Sequence, residues 1–367
     1  MVNIRDVFLN MQDIILKYEF PQEQNDVLSR YAKKFISDEN LLALAEKYYT
    51  MIFEQEVIAD VNTLKEEDGM EQGMLFAMIY LARCAVFSEV LAQKGIPEKY
   101  ACTAIWHYKD LFRRSFACYD CYGFSGMYRK GMIQYIKPTT FRIGRLSFEM
   151  QTFSGPYTVY QNKKTKKTIP LVDAGYGYLP NGKQKPQNYA DETFVTKIYE
   201  DAETIKGYTV CDDGTLNFEQ ITLEKNDYDV ALQKGDAVLS VHIPGNEKLT
   251  EERVAQSFEE AKRFFDTYYK QAGFKAFVCS SWLLDTGLAR VLDEKSNILK
   301  FQKNFRIVLS FVNTFSLYWN VFGIEKFIPC AELVPTNAFQ RKILELLDKG
   351  EKMYSGNGYI LNGDITK

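Results

Sequence analysis

Residues 236–285 read DAVLSVHIPGNEKLTEERVAQSFEEAKRFFDTYYKQAGFKAFVCSSWLLD, and this stretch decides the fold. Ala237 to Ile243 is apolar and rich in β-branched residues, and Pro244-Gly245 ends it, so it reads as a strand. A helix follows. Thr250 stands at the N-cap position, Glu251 and Glu252 fill the first turn, and Leu249 and Val254 have the spacing of a hydrophobic staple. Val254, Phe258, Ala261, Phe265 and Tyr268 recur at helical spacing and form one apolar face. Phe274 to Ser281 then reads as a second buried strand. A strand–helix–strand unit of this length predicts a crossover between parallel strands, with both carboxyl ends on one edge.

That edge carries His242 and Cys279, and such edges of open α/β sheets bind ligands. Alternation places Val238, Ser240 and His242 on one face of the first strand, with Ala237, Leu239, Val241 and Ile243 on the other. The second face is wholly apolar and must meet a packed layer, so His242 is expected to point away from the helix into a polar cleft. His242 and Cys279 are expected to lie within roughly 5 to 12 Å of each other, given the spacing of neighbouring strands. Ser281 and Trp282 would share the cleft, and the Pro244 to Thr250 turn would form one wall.

Outward from this unit, the 367 residues are enough for two domains, and 46% hydrophobic with 25% charged residues is ordinary for a globular protein. A net charge of −3 argues against a nucleic-acid surface. The one dense basic run, Lys163 to Lys167, sits between two short β-like runs and reads as a solvated hairpin tip. The opening stretch is amphipathic and unlike a secretory signal. Residues 73–92 and 307–324 are apolar, but embedded polar groups fit them to a core rather than a bilayer. The expectation is a cytoplasmic protein without nucleic-acid or membrane partners. Seven scattered cysteines make no disulfide framework, and Cys118 with Cys121 forms a lone CxxC without histidines around it, so no metal is expected. His107, between Trp106 and Tyr108, reads as a core histidine.

Residues 1 to about 125 are helical in pattern throughout, including a segment from Asp38 to Val61 and a nearly all-apolar one from Met70 to Lys94. From about Ile133 the period becomes alternating. Thr140 to Met150 reads as one strand, with a bulge or close backbone approach at Gly144. Tyr157–Gln161 with Thr168–Val172, and Gly207–Cys211 with Thr215–Leu223 about Asp213-Gly214, read as hairpins. Asn304–Val312 reads as a strand and Asn337–Leu347 as a helix, while Gly356-Asn357-Gly358 leads into a last short strand. The fold class is therefore α+β, with an all-α domain over 1–130 and a mixed-sheet domain with flanking helices over 131–367.

Five segments carry a resemblance: RIGRLSFE (142–149), GDAVLSVHIP (235–244), CSSWLLD (279–285), SNILKF (296–301) and TNAFQR (336–341). In this order and spacing they resemble the bacterial acyltransferase-domain proteins, which pair a helical N-acyltransferase N-terminal domain with a GNAT-like C-terminal domain. The resemblance implies a mixed GNAT-type sheet and acyl transfer from a thioester, with acyl-CoA as co-substrate, to an amine. The chain departs from the wider GNAT pattern. No glycine is preceded at three residues by Gln or Arg, so the usual pyrophosphate loop is missing. The turn from Pro244 to Thr250, with Gly245, is the best substitute, because backbone N–H groups at the helix start can face an anion.

Such a reaction needs a base for the amine, donors for the thioester carbonyl and an acid for the thiolate. Glu149 is a candidate base, or else a carboxylate paired with Arg142 or Arg145. His242 is a second candidate. Cys279, with His242 and Asp285, would instead form a thiol-based acyltransferase or hydrolase, unless it is simply a small core hydrophobe. Ser280, Ser281 and Trp282 lie at the strand end, and Asp285 would either cap the next helix or hold His242. A third reading is a non-catalytic small-molecule binding protein on the same fold.

Overall fold

The computed structural model describes residues 3–55, 73–120, 122–124, 126–186, 193–245, 247–313, 318–324 and 328–365. They divide into two compact units, Met1–Arg142 and Ile143–Lys367. A helix, Gly126–Tyr135, runs across position 130, where the sequence reading divides the two domains. Cys121 lies outside the described residues.

The first unit is helical: α1 Ile4–Leu9, α2 Met11–Lys17, α3 Gln22–Ser37, α4 Glu39–Phe53, α5 Met74–Ala85, α6 Phe87–Ala92, α7 Cys102–Tyr119 and α8 Gly126–Tyr135. Every residue of α5 from Met74 to Cys84 is buried, as its all-round apolar pattern requires. The helix expected over Met70–Lys94 breaks at Val86, whose φ of −101° leaves the helical range. His107 is buried and stacks on Tyr135 with ring centroids 3.4 Å apart, a core role. Arg142 lies over the Trp106 ring at 4.2 Å, a cation–π contact within this unit.

The second unit is built on a six-stranded mixed sheet in the order β1-β2-β11-β12-β14-β13. Its strands are β1 Thr140–Ile143, β2 Leu146–Thr152, β11 Ala237–His242, β12 Ala276–Ser281, β13 Arg306–Val312 and β14 Tyr354–Leu361. The helix α9, Glu251–Tyr268, crosses between β11 and β12, which pair in parallel as the crossover demands. β2 and β11, β12 and β14, and β13 and β14 pair antiparallel. A second sheet runs β10-β3-β4-β8-β7, with β9 on β8. Its members are β3 Tyr157–Asn162, β4 Thr168–Val172, β7 Tyr199–Glu200, β8 Thr204–Val210, β9 Leu216–Glu224 and β10 Tyr228–Leu232. β5 Gly177–Tyr178 and β6 Phe194–Val195 form a short antiparallel pair. Two more helices, α10 Asn297–Gln302 and α11 Ala338–Asp348, complete the unit.

The run Thr140–Met150 is not one strand. Gly144 has φ +62° and, with Arg145, makes a two-residue turn between β1 and β2, the place where a hairpin needs positive φ. A close approach does occur there, since a Cβ on Gly144 would meet Ser257 Oγ at 2.6 Å. Nor is the last strand short. β14 is eight residues long, takes in Gly356 and Gly358, and sits between β12 and β13. A Cβ on Gly356 would meet the Leu284 carbonyl oxygen at 2.4 Å, so the turn after β12 lies directly on this strand.

The two faces of the large sheet differ. On one, Phe148 and Phe277 pack edge-on against Phe258 of α9, at centroid distances of 5.8 and 5.3 Å. On the other, Val238, Ala276, Tyr359 and Leu361 join Tyr157, Val159, Val172 and Leu232 of the second sheet in one buried cluster.

Candidate active site

The site lies where the second sheet stops covering the first. β11 pairs with β2 in a register that sets Ser240 opposite Glu149 and His242 opposite Ser147. β12 pairs with β14 so that Ser280 faces Asn357. β11 and β12 pair only from Val238–Ala276 to Ser240–Val278, although β11 continues to His242 and β12 to Ser281. Beyond that point β11 stays with β2 and β12 stays with β14, so their carboxyl ends part. Directly opposed residues share a face. Ser147, His242, Ser280 and Asn357 thus form a polar row across four strands, one level beyond Glu149 and Ser240.

His242 Nε2 lies 2.9 Å from Glu149 Oε2, and Gln151 Nε2 donates to the same oxygen at 2.7 Å. The imidazole is 30% exposed and the carboxylate 18%, so the pair is half-sheltered and reachable. With Nε2 engaged by the carboxylate, Nδ1 is the ring nitrogen left over for a substrate. Beside the pair is a hollow of about 240 Å³, lined by the polar Gln151, Ser240, Ser280 and Asn357 and by the apolar Val238, Val278, Phe153 and Tyr157.

Cys279 lines the hollow with its strand, but its side chain follows Phe277 toward α9 by the alternation of β12, and the residue is 2% exposed. Burial pushes its thiol up to about 12. The Cys279–His242–Asp285 set is therefore not assembled: the thiol and the imidazole leave opposite faces of the sheet. Asp285 caps the next turn, accepting from Gly287 N and Tyr354 N, both at 2.9 Å. Burial pushes its carboxyl up, an effect countered by those two N–H groups. Trp282 packs beside Phe339 in a separate apolar cluster with Leu288 and Ile343, away from the hollow. Ser281 Oγ accepts from Leu283 N at 3.1 Å, a capping role, while Ser280 is exposed in the hollow.

Arg145 is buried and organises the turn before α9. Its Nε donates to the Lys248 carbonyl at 3.1 Å and its Nη2 to that of Glu247 at 2.9 Å, while its backbone N–H donates to Ser257 Oγ at 2.7 Å. Gly245 is exposed in that turn. Thr250 takes the N-cap conformation without a side-chain cap bond, so first-turn N–H groups of α9 are not taken by it.

Ser147, Gln151 and Asn357 escaped the sequence reading because neutral polar residues on strands form no motif. Alternation against Phe148 and Met150 was the available signal for the first two. Among the described residues no group of His, Cys, Asp and Glu could hold a metal ion, and no helix is long and apolar enough to cross a membrane.

Residues 140–360 match the model of the GNAT-like C-terminal domain. No curated protein matches the chain. Among solved structures it is similar to an acyltransferase mutant in complex with octanoyl-CoA, with a TM-score of 0.63 and 16% identity over 95% of this chain and 86% of that one. It is also similar to an acyltransferase in complex with decanoyl-CoA and teicoplanin, with a TM-score of 0.61 at the same identity and coverage. At such identity the likeness is one of fold. The family match spans well over half of the sequence, from the strand that precedes the Gly144 turn to the last strand of the sheet: the chain belongs to the GNAT-like C-terminal domain family.

Proposed function

We propose that the protein is an acyl-CoA-dependent N-acyltransferase acting in the cytoplasm, where acyl-CoA is found, with residues 1–130 as its helical N-acyltransferase-type domain and 131–367 as its GNAT-like domain. The observation that carries the reading is the His242–Glu149 pair at the parted ends of β11 and β12. His242 takes the proton of the acceptor amine on Nδ1, and Glu149 and Gln151 hold the ring in place. The amine nitrogen bonds to the acyl carbon, the carbon–sulfur bond breaks, and the leaving thiolate of coenzyme A takes a proton. The turn from Pro244 to Thr250, fixed by Arg145, meets the pyrophosphate with the first N–H groups of α9. Thioester-bearing relatives in fold support the donor, since the similar structures are acyltransferases in complexes with octanoyl-CoA and decanoyl-CoA.

Release of free thiol from a series of acyl-CoA esters, with and without simple amines, tests this. Amine-dependent thiol release without a stable protein adduct is the expected result. Binding of acyl-CoA without any turnover would leave a binding protein and remove the enzyme reading. An acylated protein would return the mechanism to covalent transfer.

A further inference from the structure

We infer that the side-chain amide of Asn357 recognises a secondary amide in the substrate that occupies the hollow. The inference rests on the acyl-transfer reading for the word substrate, but not for the binding itself. Asn357 lines the hollow from β14, directly opposite Ser280, and its Oδ1 is buried without a hydrogen-bond partner. A buried polar atom left unpaired is costly, and native structures keep such atoms for a reason. The oxygen and nitrogen of the group are interchangeable by a flip, so it offers one acceptor and one donor side by side. The group that matches both at once is another amide.

The surroundings narrow the class. None of the fourteen residues lining the hollow is charged, so a charged group entering it would be desolvated without a partner. Ser240 and Ser280 add neutral hydroxyls on the same face, and Val238, Val278, Phe153 and Tyr157 supply apolar wall. At about 240 Å³ the hollow is below the range of roughly 300–1,000 Å³ that holds a whole drug-sized ligand, so it takes one moiety of a longer molecule. At the far end of the row Ser147 Oγ is likewise buried without a partner. From β2 to β14 is about three inter-strand spacings, or about 14 Å, enough for an extended chain carrying more than one polar group. The amide can belong to the arm of the thioester donor or to the acceptor.

Two pairs of probes separate these sources. On the donor side, an octanoyl thioester of N-acetylcysteamine carries one amide and the thioester of butanethiol carries none. On the acceptor side, N-acetylethylenediamine is set against butylamine. Calorimetric binding and transfer rates are measured for the intact protein and for Asn357→Ala and Asn357→Asp. The intact protein should prefer the amide-bearing member of one pair, and Asn357→Ala should lose about ten- to a hundredfold of that preference. Asn357→Asp, which keeps the shape, should lose it as well. Affinity for the amide-free member should hold in Asn357→Ala, which separates recognition from misfolding. A preference unchanged by both variants, or no preference in the intact protein, overturns the proposal. Preserved amide-dependent binding with no thiol release would overturn the acyl-transfer reading and leave this one standing.

Discussion

The two faces of the large sheet are built from alternate residues of the same strands, yet they do opposite work. Toward α9 the strands present Phe148, Val241, Phe277 and Cys279, all buried and apolar. One residue along each strand, the other face presents Ser147, His242, Ser280 and Asn357. The first face holds the unit together and tolerates no polar group. The second is polar, half-covered, and includes the buried, unpartnered Ser147 Oγ and Asn357 Oδ1. A site here needs no special loop. It needs only a backbone held rigid from behind and a register that brings small polar residues level across four strands.

His242→Ala gives the largest contrast between the faces. Acyl transfer should fall about a hundred- to ten-thousandfold, the contribution of a positioned general base, while the melting temperature stays close to that of the parent. Activity within a factor of a few of the parent would remove His242 from the chemistry. Phe277→Ala, the mirror test on the other face, should cost about 3–5 kcal/mol of stability in denaturant unfolding, because two aromatic partners lose their contact at once. A loss under about 1 kcal/mol would mean that the α9 face is not the supporting one. The smallest effect belongs to Cys279. Its thiol is raised from 9 to about 12, so the folded state holds this proton more tightly than the unfolded chain does. That stabilisation is complete below pH 9 and disappears as the pH climbs toward 12. Relative to Cys279→Ala, the parent should therefore lose about 1 kcal/mol more by pH 10. At neutral pH an alkylating reagent should label the exposed Cys211 and spare Cys279; rapid labelling of Cys279 would place it on the open face.

The sequence made much of this legible. The β11–α9–β12 crossover was readable because its strands are apolar and its helix amphipathic, so local pattern and tertiary role agree. The face of His242 followed from alternation alone. What failed were features that depend on registers between distant segments. That Ser240 meets Glu149 is fixed by β2–β11 pairing, across a sequence separation of 91 positions. The Asn357 position was hidden differently: flanking glycines look like a turn, and only the turn at Leu284 pressing on β14 explains why a central strand carries them. Cys279 was misleading for the reason His242 was informative, since adjacent levels of neighbouring strands point to opposite faces.

The order of the sheet also governs how the unit is made. Among the described residues β14 is the last strand in sequence and fills the gap between β12 and β13, and β13 pairs there with β14 alone. A growing chain therefore presents two unsatisfied edges, those of β12 and β13, until residues 354–361 have left the ribosome. Unpaired edges of this kind recruit other chains. Its glycines make β14 a weak strand on its own, so it must be captured by edges already in place. Synthesis of this protein thus has a vulnerable interval set by strand order, in which a chaperone that shields sheet edges would determine the yield of native molecules.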